Sequence, residues 1–190
     1  MQPIFTTHAG EYLVGSYIEQ NLKDANGDRV NVWVPSKDTG IDLLVTDKAN
    51  QCTTSVQVKF SKDFLATDRN KQIYKHKLKA CGWWKLNREQ VRKSEADYWV
   101  FVLPAFEEKT VQYVIITPQE LVQRLDVIHP DGAMVHLYLW VSKDGRCWET
   151  RTLSREQVNA LVSEDGHVPC EAMDLSAFLN AWPVLVQSWR

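Results

Sequence analysis

Polar residues interrupt two neighbouring apolar runs at positions where a core-facing side chain would be expected. Asp42 stands inside Ile41–Val45, and Gln57 and Lys59 alternate with apolar residues inside Val56–Phe60. Because side chains along a strand alternate between its faces, Gln57 and Lys59 share one face. The same alternation places Asp42 opposite the flanking Ile41 and Leu43. Two adjacent strands are therefore predicted to present polar groups together.

A carboxylate is predicted to approach these strands from the first helix. Glu11 lies three residues before Val14 and seven before Ile18, on the apolar stripe of that helix. The side chain is thus aimed inward rather than at water. Burying an unpaired charge is costly, so these polar groups must either compensate one another or serve a purpose.

The predicted purpose is to bind a hard divalent cation. Carboxylate, amide and main-chain carbonyl oxygens, completed by waters, suit Mg²⁺, and Mn²⁺ is an alternative. The ligand oxygens are assigned to Glu11, Asp42, Gln57 and the carbonyl of Val58. Lys59 would then orient or help to deprotonate a water and steady a phosphate. In the alternative interpretation Asp42 caps a loop, and Lys59 reaches solvent or pairs with Glu11.

The elements predicted to position these residues belong to a mixed α/β core. A helix from a Thr7 cap to about Lys23 is followed by three closely spaced strands, which implies an antiparallel meander. The stretch from Asp63 to Ser94 is predicted to be mostly helical or irregular. Tyr98 to Leu103 is almost wholly apolar, which is typical of a central strand covered on both faces. The three strands of the meander are Val30–Val34, Ile41–Val45 and Thr53–Phe60.

The second half of the chain is predicted to extend this core. A strand at Val111–Ile116 precedes a helix capped by Thr117, and a strand at Met134–Val141 turns towards Trp148. Two further helices are predicted, capped by Ser154 and Asp174. The fold class is therefore α/β, with a mixed central sheet of four to five strands flanked by helices and a C-terminal α+β extension. Residues 1–116 form the core, and residues 117–190 pack on it in one compact domain.

The run Asp38-Thr39-Gly40-Ile41-Asp42, followed by Val56-Gln57-Val58-Lys59 on the next strand and preceded by the helical Glu11, resembles the PD-(D/E)XK nuclease superfamily. The resemblance covers about Thr7 to Leu103 and is nearest to the restriction-endonuclease-like and resolvase-like branches. It implies a restriction-endonuclease-like fold and a Mg²⁺-dependent endonuclease acting on DNA. Relatives of this size work in defence, restriction, homing and repair.

The resemblance assigns a catalytic role to four side chains: Glu11, Asp42, Gln57 and Lys59. Asp42 and Gln57 would bind the metal, Lys59 would assist the attacking water, and Glu11 would support the metal or its waters. The chain departs from the usual pattern at Gln57, where the superfamily has Asp or Glu. An amide keeps the oxygen ligand but removes a negative charge. The alternative is therefore a degenerate module that binds nucleic acid or a partner protein.

A basic segment provides the candidate contacts to DNA phosphates. Residues 59–93 carry a net charge of +8, which leaves −10 on the rest of the chain. A basic segment in an otherwise acidic protein is a candidate polyanion surface, and a solvated helix face is the alternative. Trp83 and Trp84 would either stack on bases or pack in the core. The predicted nucleic-acid-binding residues are Lys71, Lys75, Lys79, Arg88, Arg92 and Lys93.

Other function classes find no support in the sequence. The 190 residues contain no apolar run long enough for a membrane helix and no secretory signal pattern, so the chain is expected in the cytoplasm. No phosphate-binding loop or nucleophile elbow occurs. The four cysteines are widely spaced, which favours reduced thiols. A homodimer is predicted, with the Trp-rich C-terminus as its interface.

Overall fold

Two β-sheets lie at the centre of the protein in a computed structural model that describes residues 4–37, 39–67, 72–163 and 168–189. The strands are β1 (Asn31–Trp33), β2 (Leu43–Thr46), β3 (Thr53–Phe60), β4 (Leu78–Asn87), β5 (Tyr98–Ala105), β6 (Thr110–Ile116), β7 (Met134–Ser142) and β8 (Cys147–Glu149). The α-helices are α1 (Ile4–Asn21), α2 (Phe64–Thr67), α3 (Arg88–Arg92), α4 (Pro118–Ile128) and α5 (Arg155–Leu161). Short 3₁₀ helices lie at Gln72–Tyr74, Glu171–Met173, Ser176–Phe178 and Trp182–Leu185.

The larger sheet has five strands in the order β1-β2-β3-β5-β6. The first three strands form an antiparallel meander, β3 pairs with β5 in parallel, and β5 pairs with β6 antiparallel. The predicted mixed sheet and its meander are therefore confirmed. A parallel pair needs a crossover connection, and the chain between β3 and β5 supplies it through α2, β4 and α3.

One face of this sheet packs against α1 and the C-terminal segment. Val14 and Ile18 of α1 are fully buried against a cluster that includes Val56 of β3. Trp182 closes the other end of the cluster, with its ring stacked 4.4 Å from that of Tyr17. Alternating β-branched residues on the strands provide the flat apolar surface that the helix needs.

The opposite face is covered by the second sheet, whose order is β4-β7-β8. Phe101 of β5 is fully buried there, and its ring meets that of Trp84 edge to face at 4.9 Å. The predicted burial of β5 on both faces is confirmed, because its residues alternate between the two clusters. β4 pairs antiparallel with β7, so this sheet joins residues of the predicted core to residues of the predicted extension.

The prediction of a mostly helical or irregular segment between Asp63 and Ser94 misses a long strand. Residues Leu78–Asn87 form a strand of ten residues. Its inward positions are small or apolar, and a Cβ at Gly82 would lie 2.3 Å from the Trp84 ring. The alternation is hidden in the sequence because lysines flank it and the register shifts between Leu78 and Ala80.

The helix ends also differ from the sequence prediction in two places. α1 begins at Ile4, so Thr7 lies inside the helix instead of capping it. No α-helix follows Asp174 within residues 174–189. The Asp174 carboxylate instead accepts a hydrogen bond from the Ser176 amide at 2.8 Å and starts a 3₁₀ turn. A second 3₁₀ turn contains Pro183, whose ring disfavours a longer helix.

The caps of the two middle helices are as predicted. The Thr117 hydroxyl accepts a hydrogen bond from the amide of Glu120, and Ser154 forms a reciprocal capping box with Gln157. Among the residues that the structure describes, no helix combines the length and the apolar character needed to cross a bilayer.

Candidate metal and nucleic-acid site

Asp42, the residue that precedes β2, is hydrogen-bonded to β3 through both its main chain and its side chain. Its amide donates a hydrogen bond to the carbonyl oxygen of Val56 at 2.9 Å. Its carboxylate oxygen Oδ2 accepts a hydrogen bond from the Val58 amide at 2.6 Å, which is short because the acceptor is charged. The side chain thus occupies the position where the ladder between β2 and β3 ends.

The main chain of Val58 provides a second oxygen at the same place. In an antiparallel ladder the N–H and C=O of one residue point to the same side of the strand. The Val58 carbonyl is therefore directed to the edge of β3 where the Asp42 carboxylate lies. The Asp42 carboxylate and the main chain of Val58, both predicted to bind the metal, are therefore neighbours.

The predicted orientation of the residues around Asp42 is wrong in one respect. Leu43 belongs to the cluster under α1, whereas Ile41 packs against the cluster on the other face of the sheet. The regular alternation therefore breaks at Asp42, just after Gly40, whose φ is +81°. The carboxylate consequently lies at the edge of β3 and not on one face of the sheet.

Gln57 and Lys59 share the face of β3 that is directed towards the second sheet. The register with β5 sets Gln57 beside Trp99 and Lys59 beside Phe101. The Lys59 ammonium lies 5.0 Å from the centroid of the Trp99 ring, within the range of a cation–π contact. Both polar side chains are half-buried, so a phosphate bound there would be partly shielded from water.

Glu11 approaches β3 from the opposite face. Gly10, the preceding residue, packs so closely on β3 that a Cβ there would lie 2.9 Å from the Cβ of Phe60. The Glu11 carboxylate is 15% exposed, as its inward orientation predicts, and lies 3.1 Å from Nδ1 of His8. Glu11 can contribute to the Asp42 site only across the edge of β3. The structure thus joins Asp42 to Val58, sets Gln57 and Lys59 together on one face of β3, and places Glu11 on the side of the other face.

Two tryptophans support this site, and neither was predicted from the sequence to lie there. Trp99 lies under the Lys59 ammonium, and the indole of Trp84 donates a hydrogen bond to the Lys59 carbonyl at 3.1 Å. Trp84 is buried, which confirms the core alternative for this residue. The parallel register of β3 and β5 would have identified Trp99, but no feature of a single sequence fixes that register.

Arg88 lies inside the protein rather than on the basic surface. Its side chain is 8% exposed and pairs with the Asp126 carboxylate. The guanidinium also donates to the carbonyl oxygens of His129 and Gly132. Its donors thus tie α3 to the end of α4, and the group has a structural role that would compete with any contact to phosphate.

Acidic residues from within the basic segment and from later in the chain neutralise part of its charge. Arg92 pairs with Glu89 and Asp126, and these contacts raise its pKa. Burial alone would raise the pKa of Asp126, but hydrogen bonds from Arg88 and Arg92 outweigh it and hold the pKa below its usual range. Lys75 likewise pairs with Glu107.

Lys79 and Lys93 form no ion pair within the described part of the chain. Lys93 is exposed and Lys79 is half-buried, so both charges face solvent at least in part. Lys71, which was also predicted to contact phosphate, lies outside the described residues, as does Asp38. Fewer cationic side chains are therefore available to bind phosphate than the net charge of the segment suggests.

The predicted ligands near Asp42 offer few charges to a cation. They are one carboxylate, one amide and one main-chain carbonyl, all of them oxygen donors that suit a hard cation. Within the described ranges, no group of three or more His, Cys, Asp or Glu side chains is placed to hold a metal. A cation at this position would therefore rely on water for most of its ligands. No protein family, curated protein or solved structure matches this chain.

Proposed function

We propose that this protein is a Mg²⁺-dependent endonuclease that hydrolyses DNA phosphodiester bonds with a restriction-endonuclease-like core. The observation that carries the proposal is the Asp42 carboxylate, held 2.6 Å from the Val58 amide at the edge of β3, next to Gln57 and Lys59. Carboxylate, amide and carbonyl oxygens would hold the cation, and Lys59 would serve the phosphate.

The residues divide the work according to their chemistry. Asp42 supplies the negative charge that attracts the cation, while Gln57 and the Val58 carbonyl supply neutral oxygens. When bound, Mg²⁺ would provide a Lewis acid for the phosphodiester and make a coordinated water more acidic. Lys59 would donate to the phosphate and position the attacking water, with its charge kept in place by the Trp99 ring. Glu11 would act from across the strand edge on waters around the cation.

The experiment compares cleavage by the native protein and by Lys59→Ala. Linear, circular and single-stranded DNA and an RNA are incubated with each protein, with Mg²⁺ or with a chelator. Cleavage of circular DNA by the native protein, abolished by the chelator and by Lys59→Ala, is the expected result. Retained cleavage in both Lys59→Ala and Asp42→Ala would overturn the assigned roles.

A second variant distinguishes a loss of catalysis from a loss of folding. Lys59→Met keeps most of the alkyl chain beside Phe101 and removes only the ammonium. Its unfolding midpoint in urea should stay close to that of the native protein. A substitution that abolished cleavage by unfolding the chain would lower this midpoint and would give no information about Lys59.

A second candidate function is a non-catalytic module that binds nucleic acid or a partner protein. It is favoured by the low charge of the donor set, in which Gln57 contributes no carboxylate. Calorimetric titration with Mg²⁺ or Mn²⁺ separates the two functions. Saturable binding that disappears in Asp42→Ala favours the nuclease, and no binding at millimolar metal favours the module.

The homodimer is also a proposal, but the C-terminal tryptophans offer it no surface. Trp182 and Trp189 are 4% and 9% exposed and pack in the cluster under α1. The Trp189 indole donates a hydrogen bond to the Thr54 hydroxyl at 2.9 Å. A dimer would have to use another surface.

A further inference from the structure

The outer face of the three-stranded sheet is only partly covered. At one end, Trp140 packs under Tyr74 and the hydrophobic residues of α2 and α5. At the other end, the register pairs Trp83 with Tyr138 and Lys85 with His136, so these four side chains share the outer face. Lys85 is exposed, and the three rings are half-buried.

The three rings are held in fixed positions. The Trp83 indole donates a hydrogen bond to Nδ1 of His136 at 3.3 Å, and the two ring centroids are 5.6 Å apart. Tyr138 lies 6.2 Å from Trp83 on the same face. Phe64 of α2 supports Trp83 from the side, edge to face at 5.9 Å. Because the rings are already ordered, a planar ligand would bind them at little entropic cost.

Positive charge borders these rings. The guanidinium of Arg151 lies 5.5 Å from the centroid of Tyr138, and Lys85 extends beside His136. Neither Lys85 nor Arg151 forms an ion pair with any residue that the structure describes, in contrast to Lys75 and Arg92. The aromatic rings could stack on planar groups, and the two cationic side chains could bind negative charges. This combination suits a polyanion with exposed planar groups.

We propose that Trp83, His136 and Tyr138 form a stacking surface for the unpaired bases of single-stranded DNA, with Lys85 and Arg151 contacting its phosphates. Unpaired bases present π faces to aromatic side chains regardless of sequence, whereas duplex bases are already stacked on one another. The choice of DNA over RNA rests on the proposed function. The binding surface itself does not depend on cleavage.

This surface is connected to the candidate metal site through β4. The Trp83 amide donates to the Ser61 hydroxyl at 3.0 Å, two residues after Lys59, and the next residue, Trp84, bonds to the Lys59 carbonyl. Consecutive residues of β4 thus contact the end of β3 while their side chains point to opposite faces of the smaller sheet. A strand stacked on the outer surface would therefore be separated from β3 by β4 alone.

The test measures binding with cleavage switched off. A short fluorescently labelled oligothymidylate is titrated with protein in a chelator, and anisotropy gives the dissociation constant. The native protein should bind this strand more tightly than a duplex of equal length. Trp83→Leu should raise the dissociation constant for the single strand about tenfold. Lys85→Glu and Arg151→Glu change exposed side chains, so they should weaken binding without altering the unfolding midpoint.

Matched controls are available on other surfaces. Arg29→Glu reverses an exposed charge in the turn before β1, and Phe106→Leu removes an exposed ring after β5. Neither should change the dissociation constant more than about twofold at moderate salt. Equal weakening by Arg29→Glu and Lys85→Glu would overturn the proposal, because binding would then follow overall charge alone.

The remaining outcomes also decide. The proposed stacking surface would be overturned if the native protein did not bind single-stranded DNA. It would also be overturned if Trp83→Leu and Lys85→Glu left binding unchanged. Tighter binding of an RNA strand of the same sequence would overturn the choice of DNA. If the native protein binds the single strand in chelator but cleaves no DNA when Mg²⁺ is present, the proposed function fails and this inference stands.

Discussion

The Val58 amide and the Asp42 carboxylate, sixteen residues apart in the chain, are joined by a hydrogen bond of 2.6 Å at the edge of β3. The bond replaces a main-chain contact that β2 would have made had it continued. It fixes a negative charge beside the Val58 carbonyl and close to the strand that carries Gln57 and Lys59. A charged side chain in a ladder position thus defines the candidate metal site.

Replacing Asp42 should separate metal binding from folding. Asp42→Asn keeps an oxygen for the Val58 amide and removes the charge, so we expect a near-native unfolding midpoint and no saturable binding of Mn²⁺. Asp42→Ala also leaves the amide without a partner, which should lower the free energy of unfolding by about 1–3 kcal/mol. Calorimetry and urea unfolding measure the two effects. Native-like Mn²⁺ affinity in Asp42→Asn would remove this residue from the site.

Restoring a carboxylate at position 57 should strengthen the cation site. Gln57→Glu adds a negative charge to a donor set in which Asp42 supplies the carboxylate at the edge of β3. We expect the Mg²⁺ dissociation constant to fall about tenfold, which is about 1.4 kcal/mol. Gln57→Met, of similar length but without an oxygen ligand, is the control and should weaken binding. The idea is refuted if Glu and Met at this position give the same affinity.

Replacing Arg88 with alanine should mainly lower stability, whereas replacing Lys93 with alanine should mainly weaken DNA binding. Arg88→Ala removes a buried fork from Asp126 and two carbonyl oxygens, and should lower the free energy of unfolding by about 2–3 kcal/mol. Lys93→Ala should change stability by less than about 0.5 kcal/mol. It should weaken DNA binding and reduce the salt dependence by about one unit of slope. Urea unfolding and binding at several salt concentrations measure both, and a stable Arg88→Ala that lost DNA affinity would contradict the structural role.

The Asp126 carboxylate should contribute to acid sensitivity. Its pKa lies below the usual range because hydrogen bonds from Arg88 and Arg92 outweigh the effect of burial. A carboxylate whose pKa is lowered by folding stabilises the protein above its unfolded pKa, and this stability is lost as the pH falls through the folded value. The loss should therefore occur from about pH 4 downward.

Asp126→Asn tests this assignment by removing the titrating group. Its free energy of unfolding should fall less steeply with pH below about pH 4 than that of the native protein. Chemical unfolding at a series of pH values makes the comparison. Identical slopes for the two proteins would show that other carboxylates account for acid unfolding.

Most of the sheet could be predicted because its strands alternate strongly or are wholly apolar. Asp42, Gln57 and Lys59 stood out for the same reason, since each breaks such a pattern. The break in alternation between Ile41 and Leu43 could not be predicted, because it depends on the positive φ of Gly40 and on a hydrogen bond to another strand. The hydrophobic pattern of the sequence shows which residues are unusual. The pairing of the strands determines the direction of their side chains.

The strand β4 was missed for a related reason. Its lysines gave it the composition of a solvated helix, while its inward side depends on Gly82 making room for the Trp84 ring. The internal role of Arg88 was equally hidden, since Asp126 and the two carbonyl oxygens come from a helix and loop much later in the chain. Charges counted along a segment do not show which of them find partners in the folded protein.

The pairing of β4 with β7 has a consequence for how the chain can be divided. A fragment ending at Ile116 would contain β4 but lack β7 and β8, the other two strands of its sheet. Trp84 and Leu86 would then lose their neighbours from β7. Such a fragment would expose an unpaired strand edge with an apolar flank, a combination that promotes aggregation. During synthesis β4 leaves the ribosome long before β7, so its edge stays unpaired until the second half of the chain has been made.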